Sequence, residues 1–114
     1  MESAEKARQI IAIAEAKQAT DIVMLDMSGI SNMADYFVVM TADNARQLDM
    51  LADEIVRSLK RTVGKIHSRE GSVDSGWILV DYGDVIIHIL TQEQRKYYAL
   101  DELWEKAKAV LRIQ

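Results

Sequence analysis

Cysteine and proline are both missing from the 114 residues. Without cysteine there is no disulfide framework, no thiolate metal site and no cysteine nucleophile. Without proline, and with no low-complexity tract or internal repeat, nothing marks a linker between domains. Histidine occurs only at positions 67 and 88, too sparsely for a histidine-rich metal site. No apolar run approaches the roughly 20 residues of a membrane span. The start, Met1-Glu2-Ser3-Ala4-Glu5, has neither the basic opening and apolar stretch of a signal peptide nor the basic character of a transit peptide. A cytoplasmic protein without a membrane partner is expected. An overall basic excess is also lacking, since the net charge is −4. Proteins that grip phosphate backbones usually carry a basic footprint, so little direct nucleic-acid contact is expected. An acidic balance favours a basic protein partner instead.

What is present is 49% hydrophobic residues beside 28% charged ones, enough for one domain over residues 1–114 with a real core. Ser3 can cap a helix starting at Ala4, with Ala7, Ile10, Ile11 and Ala14 on one stripe. Asp21–Met27 and Asp35–Met40 read as strands separated by a loop around Gly29. Asn44 with Gln47 forms a capping-box pattern ahead of the longest helix. Its buried stripe is Leu48, Leu51, Ala52, Ile55 and Leu59, and Gly64 is placed to end it. Lys65–Arg69 is a short strand and Glu70–Gly76 a loop. Thr91 with Gln94 opens a further helical turn, and a last helix sets Leu100, Leu103, Trp104, Ala107, Val110 and Leu111 on one face. Strands and helices mix without strict alternation. The expected class is α+β, an α/β sandwich with a mixed five-stranded sheet and flanking helices.

The most informative stretch is Trp77–His88. Two apolar runs flank Tyr82-Gly83, the pattern of a hairpin on a two-residue loop. In that register Asp81 faces Asp84, Val80 faces Val85, Leu79 faces Ile86, Ile78 faces Ile87 and Trp77 faces His88. Opposed residues share a face. One face is then wholly aliphatic, Ile78, Val80, Val85 and Ile87. The other holds Trp77, Leu79, Ile86 and His88, with Asp81 and Asp84 at its turn end. An apolar patch containing a tryptophan inside an acidic rim suits a basic partner. Its simpler alternative is a face covered by a helix, with two aspartates in a solvated turn.

Catalytic chemistry is poorly supported. Ser28-Gly29 and Ser31 followed by Asp35 have the layout of a nucleotidyltransferase, where a Gly-Ser turn precedes two carboxylates two residues apart. Those carboxylates hold two metal ions about 4 Å apart. Here Phe37 takes the second carboxylate position, and a phenyl ring cannot ligate a metal. Asp81 and Asp84 alone make a poor Mg²⁺ or Ca²⁺ site. His88 could act as a base, but no serine stands in a nucleophile-elbow pattern. No enzyme, no metal and no cofactor is expected.

Asp35-Tyr36-Phe37-Val38-Val39, Glu70-Gly71, the whole Trp77–His88 block and Arg95-Lys96-Tyr97-Tyr98-Ala99-Leu100-Asp101-Glu102-Leu103-Trp104 together resemble the ribosomal silencing factor family, also called Iojap-like. The resemblance runs from about Asp21 to Trp104. It departs at Thr41-Ala42-Asp43-Asn44, where the family has a Ser/Thr-Gly-rich turn, and at Asp101, where it often has Glu. The resemblance implies a nucleotidyltransferase-like fold without catalytic residues. It implies binding to the large ribosomal subunit through large-subunit ribosomal protein fourteen, which sterically blocks joining of the small subunit under nutrient limitation. Carried onto this chain, the partner-binding residues are Glu70, Trp77, Leu79, Asp81, Tyr82, Asp84, His88 and Tyr98. The same surface would serve a ribosome assembly factor. Off the ribosome, its apolar face suits a homodimer.

Overall fold

The computed structural model describes residues 1–32, 34–97 and 107–113. Its elements are α1 (Ser3–Ala16), β1 (Thr20–Asp26), β2 (Tyr36–Ala42), α2 (Ala45–Leu59), β3 (Ser68–Ser72), β4 (Trp77–Asp81), β5 (Val85–Thr91), α3 (Gln92–Tyr97) and β6 (Lys108–Ile113). The strands form a mixed sheet in the order β3-β4-β5-β2-β1-β6, with β2 and β5 parallel and the other pairs antiparallel. The class is α+β as expected, but the sheet has six strands rather than five.

Both long helices follow their apolar stripes. Ala7, Ile10, Ile11 and Ala14 of α1 and Leu48, Leu51, Ala52, Ile55 and Leu59 of α2 are buried. The Asn44 side chain accepts a hydrogen bond from the Gln47 N–H at 2.9 Å, closing the predicted cap. The Gln47 side chain returns the bond to the N–H of Asp43, one residue earlier than a strict capping box. Ser3 lies inside α1, with Glu2 at the cap position. The helices pack on one face of the sheet against Ile22, Met24, Val38, Met40, Ile78, Val80, Ile87 and Ile89. The opposite face carries a second apolar cluster of Val23, Leu25, Met27, Val39, Leu90 and Ala107, flanked by Phe37 and Trp77.

Three local expectations are corrected. Residues 108–113 are a strand paired with β1, not the end of a helix, so Val110 and Leu111 stand exposed on an outer strand. The Leu100, Leu103 and Trp104 part of that expectation lies outside the described residues. The short strand is Ser68–Ser72 rather than Lys65–Arg69, which moves Glu70 from a loop into the sheet. Serine chemistry fixes its end, because the Ser75 hydroxyl donates to the Ser72 carbonyl at 2.8 Å and the Gly76 N–H donates to the Val73 carbonyl.

The hairpin register is shifted by two residues. Asp81 pairs with Ile86, Leu79 with His88 and Trp77 with Leu90. The loop is therefore Tyr82–Val85, closed by the Tyr82 N–H donating to the Val85 carbonyl. Asp81 Oδ1 accepts from the Gly83 N–H at 2.6 Å, and Gly83 has φ +90°. This side-chain turn widens the loop, and the Asp84 carbonyl is drawn toward β2 by the N–H groups of Asp35 and Tyr36. A shift of two, unlike a shift of one, keeps the paired side chains of both strands on their faces.

Candidate functional site

Pairing across β3, β4, β5 and β2 sets in rows the face turned away from α1 and α2, which is open along β3 and β4 and buried at Val39, Thr41, His88 and Leu90. Glu70, Leu79, His88 and Val39 form one row; Ser72, Trp77, Leu90 and Thr41 form the next toward one end. At the other end stand Ser68, Asp81, Ile86 and Phe37. Five of the eight predicted site residues therefore share one face: Glu70, Trp77, Leu79, Asp81 and His88. Trp77, Leu79 and Asp81 are half-buried and Glu70 is exposed. A shallow groove of about 240 Å³ runs between Glu70, Gly71, Ser75, Trp77 and Leu79.

Tyr82 and Asp84 do not join this face. Tyr82 is only 4% exposed and packs with the helix-side core, because it follows Ile78 and Val80 in the alternation of β4. Burial pushes its hydroxyl pKa up to about 12, and the hydroxyl oxygen has no hydrogen-bond partner among the described residues. Asp84 points toward α1, where Lys6 Nζ meets Oδ1 at 2.7 Å. The expected opposition of Asp81 and Asp84 is thus absent, and with it the like-charge repulsion of that register. Tyr98 lies outside the described residues.

His88 is on the face but behind its surface, at 6% exposure. Its Nδ1 accepts the Trp77 Nε1–H at 3.2 Å, and its ring packs 4.7 Å from that of Phe37. Burial lowers its pKa to about 4, so the ring is neutral near pH 7. With Nδ1 accepting, the proton sits on Nε2. His88 is better described as the support of Trp77 than as a contact. Phe37 also belongs to this group, and its membership was hidden in the sequence because it depends on the parallel pairing of β2 with β5. Glycine shapes the groove as well. Gly71 has φ +89°, and a Cβ there would lie 2.0 Å from the Trp77 carbonyl oxygen. No side chain larger than hydrogen fits without moving β4.

Among the described residues no group of three or more His, Cys, Asp or Glu could hold a metal ion. Phe37 occupies the position that a second metal-binding carboxylate would need, and packs on His88. What the face offers is contact area: a half-exposed indole, a leucine and an isoleucine, with the carboxylates of Glu70 beside Leu79 and Asp81 beside Ile86.

Comparison with known proteins is consistent with that description. The family model described as "Ribosomal silencing factor during starvation" matches residues 1–114. The ribosomal silencing factor RsfS of Bacillus subtilis (strain 168) is 38% identical over 104 residues, covering 88% of each chain. A crystal structure of a protein from Chromobacterium violaceum superposes with a TM-score of 0.86 at 33% identity, over 92% of this chain and 88% of that one. A more distant relative is the mouse protein named "Mitochondrial assembly of ribosomal large subunit protein 1", 26% identical over 83% of this chain and 43% of its own length.

Proposed function

The chain belongs to the ribosomal silencing factor family, and on that premise we propose that its open sheet face docks on the large ribosomal subunit. The docking partner is ribosomal protein fourteen, a basic protein at the subunit interface. Bound there, the protein sterically prevents the small subunit from joining and so turns translation down when nutrients are scarce. It acts in the cytoplasm as a regulator, without making or breaking a bond. One observation carries this reading: Trp77 and Leu79 stand half-exposed side by side on β4, with Glu70 across from Leu79 and Asp81 next along the same face. A desolvated aromatic anchor supplies affinity, while a charged rim supplies orientation and on-rate.

The test is sedimentation with purified large subunits, with and without small subunits. Co-migration with free large subunits, absence from joined ribosomes and fewer joined ribosomes are expected. Failure to co-migrate at any salt concentration would remove the reading and leave the apolar face to a second copy of the chain.

The mouse relative's name favours a second reading, an assembly factor for the large subunit. A deletion strain separates the two. Accumulated precursor particles during growth would mark assembly, whereas normal particles with a failure to silence in starvation would mark repression.

A further inference from the structure

The net charge of −4 hides an uneven distribution. Residues 57–69 hold five of the 14 lysines and arginines, Arg57, Lys60, Arg61, Lys65 and Arg69, and no acidic residue. Two of the five are engaged within the fold. Arg57 pairs with Glu54 at 2.7 Å, and Arg69 reaches Asp53 and Asp49 at 2.6 and 3.1 Å. Lys60, Arg61 and Lys65 are exposed, and no ion pair or side-chain hydrogen bond involves them among the described residues. Cations at the end of α2 also complement the helix dipole, but that effect fades within the last turn. It accounts for Arg57 and Lys60, and leaves Arg61 and Lys65 without an ionic partner among the described residues.

The corner that displays them is held on both sides. The N–H groups of Val63 and Gly64 donate to the Leu59 carbonyl, and Val63 and Ile66 pack on the helix-side core. Next along the chain, the His67 N–H donates to the Asp81 carbonyl at 2.7 Å, and the His67 ring lies beside Gly83. The cations therefore sit on a fixed frame that runs directly into β3, next to the Asp81 end of the proposed docking face. A partner that was basic throughout would be attracted by Glu70 and Asp81 and repelled by this corner. A surface offering a basic protein beside nucleic acid satisfies both signs at once.

We propose that Lys60, Arg61 and Lys65 contact the RNA phosphate backbone of the large subunit while the neighbouring sheet face engages protein. This rests on the ribosome-binding reading above and adds to it a second, chemically distinct contact. Phosphate contacts of this kind position a protein without reading sequence, and they make binding depend on salt.

The experiment compares the wild type with Lys60→Gln/Arg61→Gln/Lys65→Gln and with a control of equal net charge, Arg8→Gln/Arg46→Gln/Lys96→Gln. Each is titrated across a salt series against intact large subunits and against isolated ribosomal protein fourteen. The corner variant is expected to lose about tenfold or more in subunit affinity, with the logarithmic salt slope reduced by about 2 to 3. Its affinity for the isolated protein should be unchanged, and the control should keep the wild-type slope. An unaltered slope, equal effects of the two triple variants, or an equal loss on the isolated protein would each overturn the RNA contact while leaving ribosome binding standing. If the wild type itself does not bind subunits, the functional reading fails and the RNA contact falls with it.

Discussion

The indole N–H of Trp77 donates to Nδ1 of His88 across 3.2 Å, so the half-exposed indole of the open face is oriented by one of its buried polar groups. The bond requires His88 to be neutral. In the unfolded chain the ring titrates near 6.5, and in the fold near 4. Between those values the unfolded state binds the extra proton, so stability falls as the solution is acidified through that window and levels off below it. The loss amounts to about 3 kcal/mol. Urea unfolding of the wild type and His88→Gln over this pH range checks it. The glutamine carbonyl can still accept from Trp77 but does not titrate, so its curve should be flatter.

Trp77→Ala should leave the fold intact and weaken large-subunit binding by about 30-fold or more, near 2 kcal/mol. Asp81→Lys should weaken it mainly through the on-rate and should change the salt dependence. Binding kinetics on immobilised subunits measures both. Unchanged affinity of a folded Trp77→Ala protein would move the docking face elsewhere.

Tyr82→Phe distinguishes the open face from the helix side. Its buried hydroxyl lacks a partner among the described residues, so removing it should cost no stability and can add up to about 1 kcal/mol. Subunit affinity should not change. Thermal unfolding together with the sedimentation assay reads both quantities.

Lys6→Met leaves Asp84 half-exposed and without its cation. The pair is only partly shielded from water, so the cost should be modest, about 1 kcal/mol by denaturant unfolding. Asp84→Asn should leave subunit affinity at the wild-type level, in contrast to Asp81→Lys, because the two aspartates serve opposite faces.

Gly71→Ala should be the most damaging single methyl in the molecule. It combines a positive φ with a clash against the β4 backbone, and about 2 kcal/mol or more of stability should be lost. A shift in Trp77 fluorescence should accompany the loss, since the displaced backbone is that of Trp77.

Much of this was legible in the sequence. The helix stripes of α1 and α2 hold because their periodicity is local and strong. The two faces of the β4 and β5 strands also hold, Asp84 of the loop excepted, because alternation is insensitive to an even shift of register. What the sequence could not show depends on partners distant along the chain. Ser68–Ser72 has no buried residue and hence no alternation to detect, so β3 is a strand only because β4 lies beside it. Val110 and Leu111 fit a helical stripe as well as a strand, and pairing with β1 decides between them. A two-residue loop would place Asp84 on the open face, and the Asp81 side-chain turn lengthens the loop and sends it to α1; Tyr82, a contact only by the family resemblance, follows Ile78 and Val80 to the helix side.

Strand order has a consequence for how the protein is made. β1 is bonded on one side by β2, close by in the chain, and on the other by β6, which emerges more than 80 residues later. Throughout that interval of synthesis β1 is an open edge with Ile22, Val23, Met24 and Leu25 in it, the kind of segment that pairs with whatever strand arrives first. Completion of the sheet therefore waits for residues 108–113, and their translation closes this adhesive edge of the nascent chain.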